Sequence, residues 1–244
     1  MVNTYKIADK IIRIDSLFEE VHNYCKDYLF DGQPDFEVVT TKDDITYEQK
    51  KSADNDIAEK RPVRHWSDSY LEELAVYRKI AEKMPEYDTF LFHGSVIAVD
   101  GAGYLFTAKS GTGKSTHTKL WRELLGSRAV MVNDDKPLIH VDEHSVTVFG
   151  TPYNGKHRLG NPIAVPLNAV CILERAQENH IRIITKEEAY PMLLQQSYRP
   201  HHSAALVKTL TLIDKTAEQI PLYKLGCNMD ISAAEIAYHT MKGQ

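Results

Sequence analysis

The sequence predicts an α/β fold, a mixed and partly antiparallel sheet flanked by helices. Three observations carry this. Two apolar, β-rich runs, TFLFHGSVIAV and YLFTA, are separated by Asp100-Gly101-Ala102-Gly103, and Asp-Gly between such runs signals a hairpin. The second run passes through a Gly/Ser loop straight into a helical pattern. Beyond residue 162, buried-strand runs alternate with helical ones. Hairpins mixed with strand–helix units argue against a purely parallel, doubly wound sheet.

The elements follow in order. Residues 3–14 and 35–41 read as short strands around a helix near 16–29, where Leu17, Val21, Tyr24, Cys25 and Tyr28 fall at helical spacing. Residues 42–66 are polar and charged and read as a surface loop or exposed hairpins. Ser69-x-x-Glu72 has the form of a capping box opening a helix over 70–83, which Pro85 ends. The hairpin follows, then a helix over 114–125 closed by Gly126, and strands near 129–133, 137–141 and 145–149. A basic, glycine-containing loop at 151–162 precedes the buried strand NAVCILER. A strand at 181–184, helices at 186–196 and 203–218, the strand PLYKLG and a helix at 230–242 complete the chain. The expected organisation is a single domain over 1–244 with its core at about 86–244, preceded by a strand–helix–strand extension over 1–66.

Composition narrows the class. The chain has 244 residues, 43% hydrophobic and 26% charged, with a net charge of −5. No basic stripe points to nucleic acid or an anionic membrane. The cysteines, Cys25, Cys171 and Cys227, are odd in number and far apart, so neither a disulfide framework nor a Cys-rich zinc site is expected. A reducing, cytoplasmic setting follows. The N-terminus mixes charge into its apolar residues, unlike a signal peptide, and no uncharged apolar run approaches the ~18 residues of a membrane span.

The stretch AKSGTGKST carries the chemistry. A strand ends at Thr107 and a helix starts at Lys114. Between them Lys109, Ser110, Gly111, Thr112 and Gly113 form a tight loop whose N–H groups can cradle phosphate at the helix start. Gly111 and Gly113 can take positive φ and turn successive N–H groups inward. Lys114 reaches the β- and γ-phosphates, Ser115 offers a hydroxyl to Mg2+, and Thr116 completes the set. Ala108 stands where the usual motif has its first glycine. It is the smallest replacement and keeps its N–H.

Downstream, AVMVNDDKPLI runs an apolar strand into Asn133, Asp134 and Asp135. A phosphate-loop enzyme needs an acid at a strand end to organise its metal. With two acids, one can hold Mg2+ while the other takes a proton from an attacking hydroxyl. Two buried neighbouring carboxylates are expected to raise a pKa, which suits a base. Upstream, His93 lies in an apolar run before Gly94. It reads as a core histidine or, in a kinase site, as a donor to a phosphate oxygen or a group that orients the base.

Taken together, HGSVIAVDGAGYLFTAKSGTGKST and VMVNDDKPLI resemble the catalytic core of HPr kinase/phosphorylase and the wider superfamily that includes ATP-dependent phosphoenolpyruvate carboxykinase. The resemblance covers residues 91–139. It implies that fold and a phosphate-loop (Walker A) kinase using ATP and Mg2+. It further implies that Ser110 to Ser115 bind the nucleotide phosphates, Ser115 is a metal ligand, Asp134 is the base, Asp134 and Asp135 share the metal role, and His93 stabilises charge near the transferred phosphate. HPr kinases are hexamers, so a homo-oligomer is among its implications. The stretches FGTPYNGKHRLGNP, QQSYRP and LYKLGCNMD look like those of small HPr-kinase-like proteins, and Thr116 stands where HPr enzymes commonly carry an acid.

In GTPYNGKHRLG, glycines flank Lys156, His157 and Arg158. Such a loop can close on the γ-phosphate or an anionic acceptor, with Arg158 supplying a cation for the transition state, or it is simply solvated. Tyr198, Arg199, His201 and His202 form a second polar cluster that could serve an acceptor. The expected activity is ATP- and Mg-dependent transfer of the γ-phosphate to a hydroxyl of a small molecule or peptide. A nucleotide-binding regulatory protein without transfer is the alternative. A third reading is phosphorylase or carboxykinase chemistry.

Overall fold

The chain begins with a hairpin where one strand was expected. In the computed structural model, which describes residues 1–155 and 157–243, β1 (Val2–Ile7) turns at Ala8 and Asp9 into β2 (Lys10–Asp15). Both turn residues take positive φ, +49° and +59°, the backbone that lets two strands reverse within two residues. Helix α1 (Glu19–Cys25) follows, and β3 (Phe36–Val39) pairs parallel with β2.

Two expectations in this region are corrected. Residues 42–66 are not a loop: Lys42–Ala58 form a helix, α2, that is polar nearly all round. Its start is fixed by Thr41 and Asp44, the Thr41 N–H donating to the Asp44 carboxylate at 3.0 Å. Its side is held to α3 (Asp68–Lys83) by ion pairs, Arg78 with Asp44 at 3.0 Å and Lys79 with Asp44 at 2.8 Å. Secondly, Ser69 and Glu72 do not make a capping box. Ser67 serves the start of α3, its hydroxyl accepting from the Tyr70 N–H at 3.4 Å. Glu72 is buried, and its carboxylate accepts instead from the N–H groups of Leu17 at 2.7 Å and Phe18 at 2.8 Å, where α1 begins.

The chain divides into two compact units, Met1–Lys83 and Met84–Gln244, with the boundary at the end of α3 and not near residue 66. The second unit is a nine-stranded mixed sheet with helices on both faces. Its strands are β4 (Thr89–Leu91), β5 (Ser95–Val99), β6 (Ala102–Thr107), β7 (Ala129–Asn133), β8 (Leu138–Val141), β9 (Val146–Phe149), β10 (Ala164–Arg175), β11 (His180–Ile183) and β12 (Leu222–Cys227). Its helices are α4 (Lys114–Leu125), α5 (Lys186–Gln196), α6 (Ser203–Gln219) and α7 (Ser232–Met241). The long strand β10 curls the sheet. Its first residues pair antiparallel with β9, and its remainder runs parallel to β6 on one side and β12 on the other.

Alternation along the strands builds two cores. Leu105, Val170 and Ile172 face α5 and α6, whereas Tyr104, Phe106, Cys171 and Leu173 face α4 and α7. The hairpin turn is where expected, Asp100 at φ +51° and Gly101 at φ +87° joining β5 to β6. The run TFLFHGSVIAV, however, is two strands, with His93 and Gly94 in the break between β4 and β5.

Topology then sets the site. Strand β5 runs antiparallel to both β6 and β7, while β10 and β12 run parallel to β6. The start of β5 and the ends of β6, β7, β10 and β12 therefore share one rim of the sheet. Among the described residues, no helix is long and apolar enough to cross a membrane.

Candidate active site

The loop at the end of β6 has the form the motif requires. Gly111 and Gly113 take φ +75° and +125°, and α4 begins at Lys114 directly after. Lys109, Ser110, Gly111, Ser115 and Thr116 are exposed, and Thr112, Gly113 and Lys114 are half-buried. The Lys114 ammonium donates to the Ala108 carbonyl at 3.4 Å. Burial pulls its pKa below the ordinary lysine value, against the Asp135 and Asp134 carboxylates, which favour the charged form.

Ala108 explains itself here. Its methyl is fully buried in the α4-side core, and its φ is not positive. The first glycine's freedom is unused at this position, and a small apolar side chain fits it. Gly113 differs. A Cβ there would meet nothing nearer than the Thr116 Cβ at 4.0 Å, so Gly113→Ala acts through backbone conformation alone. Its cost of about 1–3 kcal/mol falls on the cradle, and we predict tripolyphosphate binding about ten- to a hundredfold weaker by titration. Unchanged affinity would show that the loop's N–H groups hold no phosphate.

The acid pair faces this loop from the end of β7. Asn133 shapes the turn: its side-chain oxygen accepts from the N–H groups of Asp135 at 2.8 Å and Lys136 at 2.6 Å, and its amide donates to the Thr151 hydroxyl at 3.0 Å. Asp134 is buried and accepts from the Ser95 hydroxyl at 2.7 Å. The Ser95 hydroxyl also lies 3.2 Å from that of Thr118, on the first turns of α4. A short polar chain thus joins acid, strand β5 and phosphate-loop helix.

Asp135 is tuned by its neighbours. Burial pushes its carboxyl up, but the hydrogen bond from His93 and the charge of Lys136 together hold it below the usual carboxylate value. The contacts are His93 Nε2 to Asp135 Oδ1 at 3.2 Å and Lys136 Nζ to Asp135 Oδ2 at 3.4 Å. His93 is therefore no core histidine; it is half-exposed and positions this acid. The Thr107 hydroxyl, at the foot of the loop, donates to the His93 carbonyl at 3.1 Å.

The outer candidates divide. Gly155 packs on the acid turn, since a Cβ on it would lie 3.3 Å from the Asp135 Cβ. This brings the start of the basic loop to the site. His157 and Arg158 are exposed, and Lys156 lies outside the described residues. Arg199 is exposed, one residue beyond Tyr198, whose N–H donates to the Leu91 carbonyl at 2.9 Å. The neighbouring Gln196 carbonyl accepts from the His93 N–H at 2.8 Å, so the segment after α5 runs along the His93 strand break.

Sequence reasoning missed Arg175. At the end of β10, its guanidinium donates to the Gly111 carbonyl at 2.6 Å and braces the loop from the side opposite the acids. No local pattern marks it; only the parallel pairing of β10 with β6 brings it there. Among the described residues, no group of three His, Cys, Asp or Glu side chains is arranged to hold a metal ion.

A family model, that of the SynChlorMet cassette protein ScmC, matches residues 59–231. Among curated proteins, none matches the chain. Among solved structures, the Hpr(Ser) kinase/phosphatase from Coxiella burnetii is similar at 14% identity, covering 50% of this chain and 93% of that one with a TM-score of 0.28.

Proposed function

The chain belongs to the family of the SynChlorMet cassette protein ScmC, and from the geometry of its site we propose that it is an ATP- and Mg2+-dependent kinase. It transfers the γ-phosphate to a hydroxyl of a small molecule or peptide. One observation carries the reading: the buried Asp134 is joined through Ser95 and Thr118 to the helix that the phosphate loop opens, and Asp135 is joined through His93 to Thr107 at the foot of that loop. A cradle for phosphate and a pair of acids at one place are the two halves of phosphoryl transfer.

The donor set suits Mg2+, which takes oxygen ligands. The Ser115 hydroxyl and the acid pair would hold it, and it would supply neutralisation of phosphate charge. The loop N–H groups and Lys114 orient the phosphates. Asp135, kept ionised by His93 and Lys136, suits the metal side. Asp134 meets a neutral donor, Ser95, and is the group placed to take the proton of the acceptor hydroxyl. The basic loop after Gly155, with Arg158, would close over the acceptor and exclude water.

The test is incubation with γ-labelled ATP, Mg2+ and an extract of the source cells. We expect label in one extract component with the wild-type chain and none with Lys114→Ala. Nucleotide binding without any labelled product would favour the regulatory reading instead.

A further inference from the structure

Two cavities flank the phosphate loop, of about 510 and 490 Å³. The first lies between the loop, the end of β10 and α5. Of its charged groups, Lys224 pairs with Glu174 at 2.9 Å, Glu188 accepts from Arg182 at 2.9 Å, and Arg175 donates to the Gly111 carbonyl at 2.6 Å. The second lies between the loop and the turn after β12, lined by Gly111, Gly113, His117, Leu120, Cys227 and Met229. It contains a group that none of the described residues satisfies.

That group is His117. The side chain is 2% exposed, with its ring edge-on to Phe106 at 4.7 Å. Its Nε2 receives the indole N–H of Trp121 at 3.0 Å, one helical turn on. An indole nitrogen only donates, so Nε2 must be the bare nitrogen of the ring. The ring's proton therefore sits on Nδ1, which is buried and has no hydrogen-bond partner among the described residues. Buried donors are nearly always paired, so this one calls for an acceptor.

We propose that this second cavity binds the nucleoside half of the phosphate-loop ligand, with the His117 Nδ1–H donating to an acceptor of the base or ribose. The inference deepens the kinase reading and rests on it. Gly111 and Gly113 belong both to the cavity and to the phosphate cradle, so one ligand can occupy the two. The remaining walls suit a flat heterocycle: Leu120 and Cys227 are apolar, and Met229, 79% exposed, is free to cover its face. The walls also carry Thr112, Thr116, Arg175 and Asn228, and apolar surface with a few directed polar groups is the usual make-up of a small-molecule site.

The test compares ATP with inorganic tripolyphosphate, both with Mg2+, by calorimetric titration of the full chain. We expect the wild type to bind ATP at least about tenfold more tightly than tripolyphosphate. His117→Phe should remove about tenfold from ATP affinity, and Met229→Ser about fivefold. Neither should alter tripolyphosphate binding. Met229 is exposed, so its variant remains informative if the buried His117 substitution fails to fold. ATP affinity unchanged in Met229→Ser, or equal affinity of the wild type for the two ligands, overturns the nucleoside site while leaving the phosphate loop intact. A wild type that binds neither ligand overturns both this inference and the kinase reading.

Discussion

Asp134→Asn should lower phosphate transfer by about 10²–10⁴-fold while leaving ATP affinity within a small factor of wild type. That loss corresponds to about 2.7–5.5 kcal/mol of barrier. The two readouts separate because of what Asp134 touches. The Ser95 hydroxyl donates to it at 2.7 Å, and an asparagine oxygen can still accept that bond. The turn itself is held by Asn133, and the loop by Arg175 and the Gly111 and Gly113 backbone, none of which the substitution reaches. What disappears is the capacity to take a proton. Labelled-phosphate transfer to the component identified with wild type, measured beside an ATP titration, decides the matter. Binding and transfer falling together would remove the base assignment, and so would transfer retained above about a tenth.

Glu72→Ala should destabilise the first unit by about 3–5 kcal/mol. Removing a buried charge relieves its desolvation, which works in favour of the variant. Against this stand the donors it strands: the N–H groups of Leu17 and Phe18 and the Thr40 hydroxyl all point at this carboxylate. A donor left without a partner costs about 1–3 kcal/mol, and although the Thr40 hydroxyl keeps the Asp15 carbonyl at 3.3 Å, the two N–H groups where α1 begins outweigh the relief. For a unit of this size the melting temperature should fall by more than about 10 °C. Glu72→Gln, which keeps one accepting oxygen, should recover part of the loss. A fall in stability below about 1 kcal/mol would mean the donors find another acceptor.

Much of the site was legible because its signals are local. Asp100-Gly101, the Gly111/Gly113 loop and the strand ending in Asp134 and Asp135 each specify their own backbone within a few residues, and the sheet edge follows from them. The failures have the opposite cause. Helix α2 has no apolar stripe for periodicity to find; its evidence is Thr41 and Asp44 at capping spacing, and its partners Arg78 and Lys79 lie on another helix. Ser69-x-x-Glu72 had the right letters, but a buried acceptor is worth more at the start of α1 than at an exposed cap. The lowered pKa of Asp135 turns on His93 and Lys136, whose position only the folded chain reveals. Arg175 likewise meets Gly111 across 64 residues of sequence.

The strand directions carry one more consequence. The phosphate loop and the acid pair leave the sheet at one rim, and the opposite rim carries the Asp100–Gly101 reversal and the Gly126–Arg128 turn. Arg128 and Asp100 clasp each other there. Such a back edge is the natural place for grafts, labels or tethers: it lies a full strand length away from the reacting atoms, and length or composition can drift there without disturbing them.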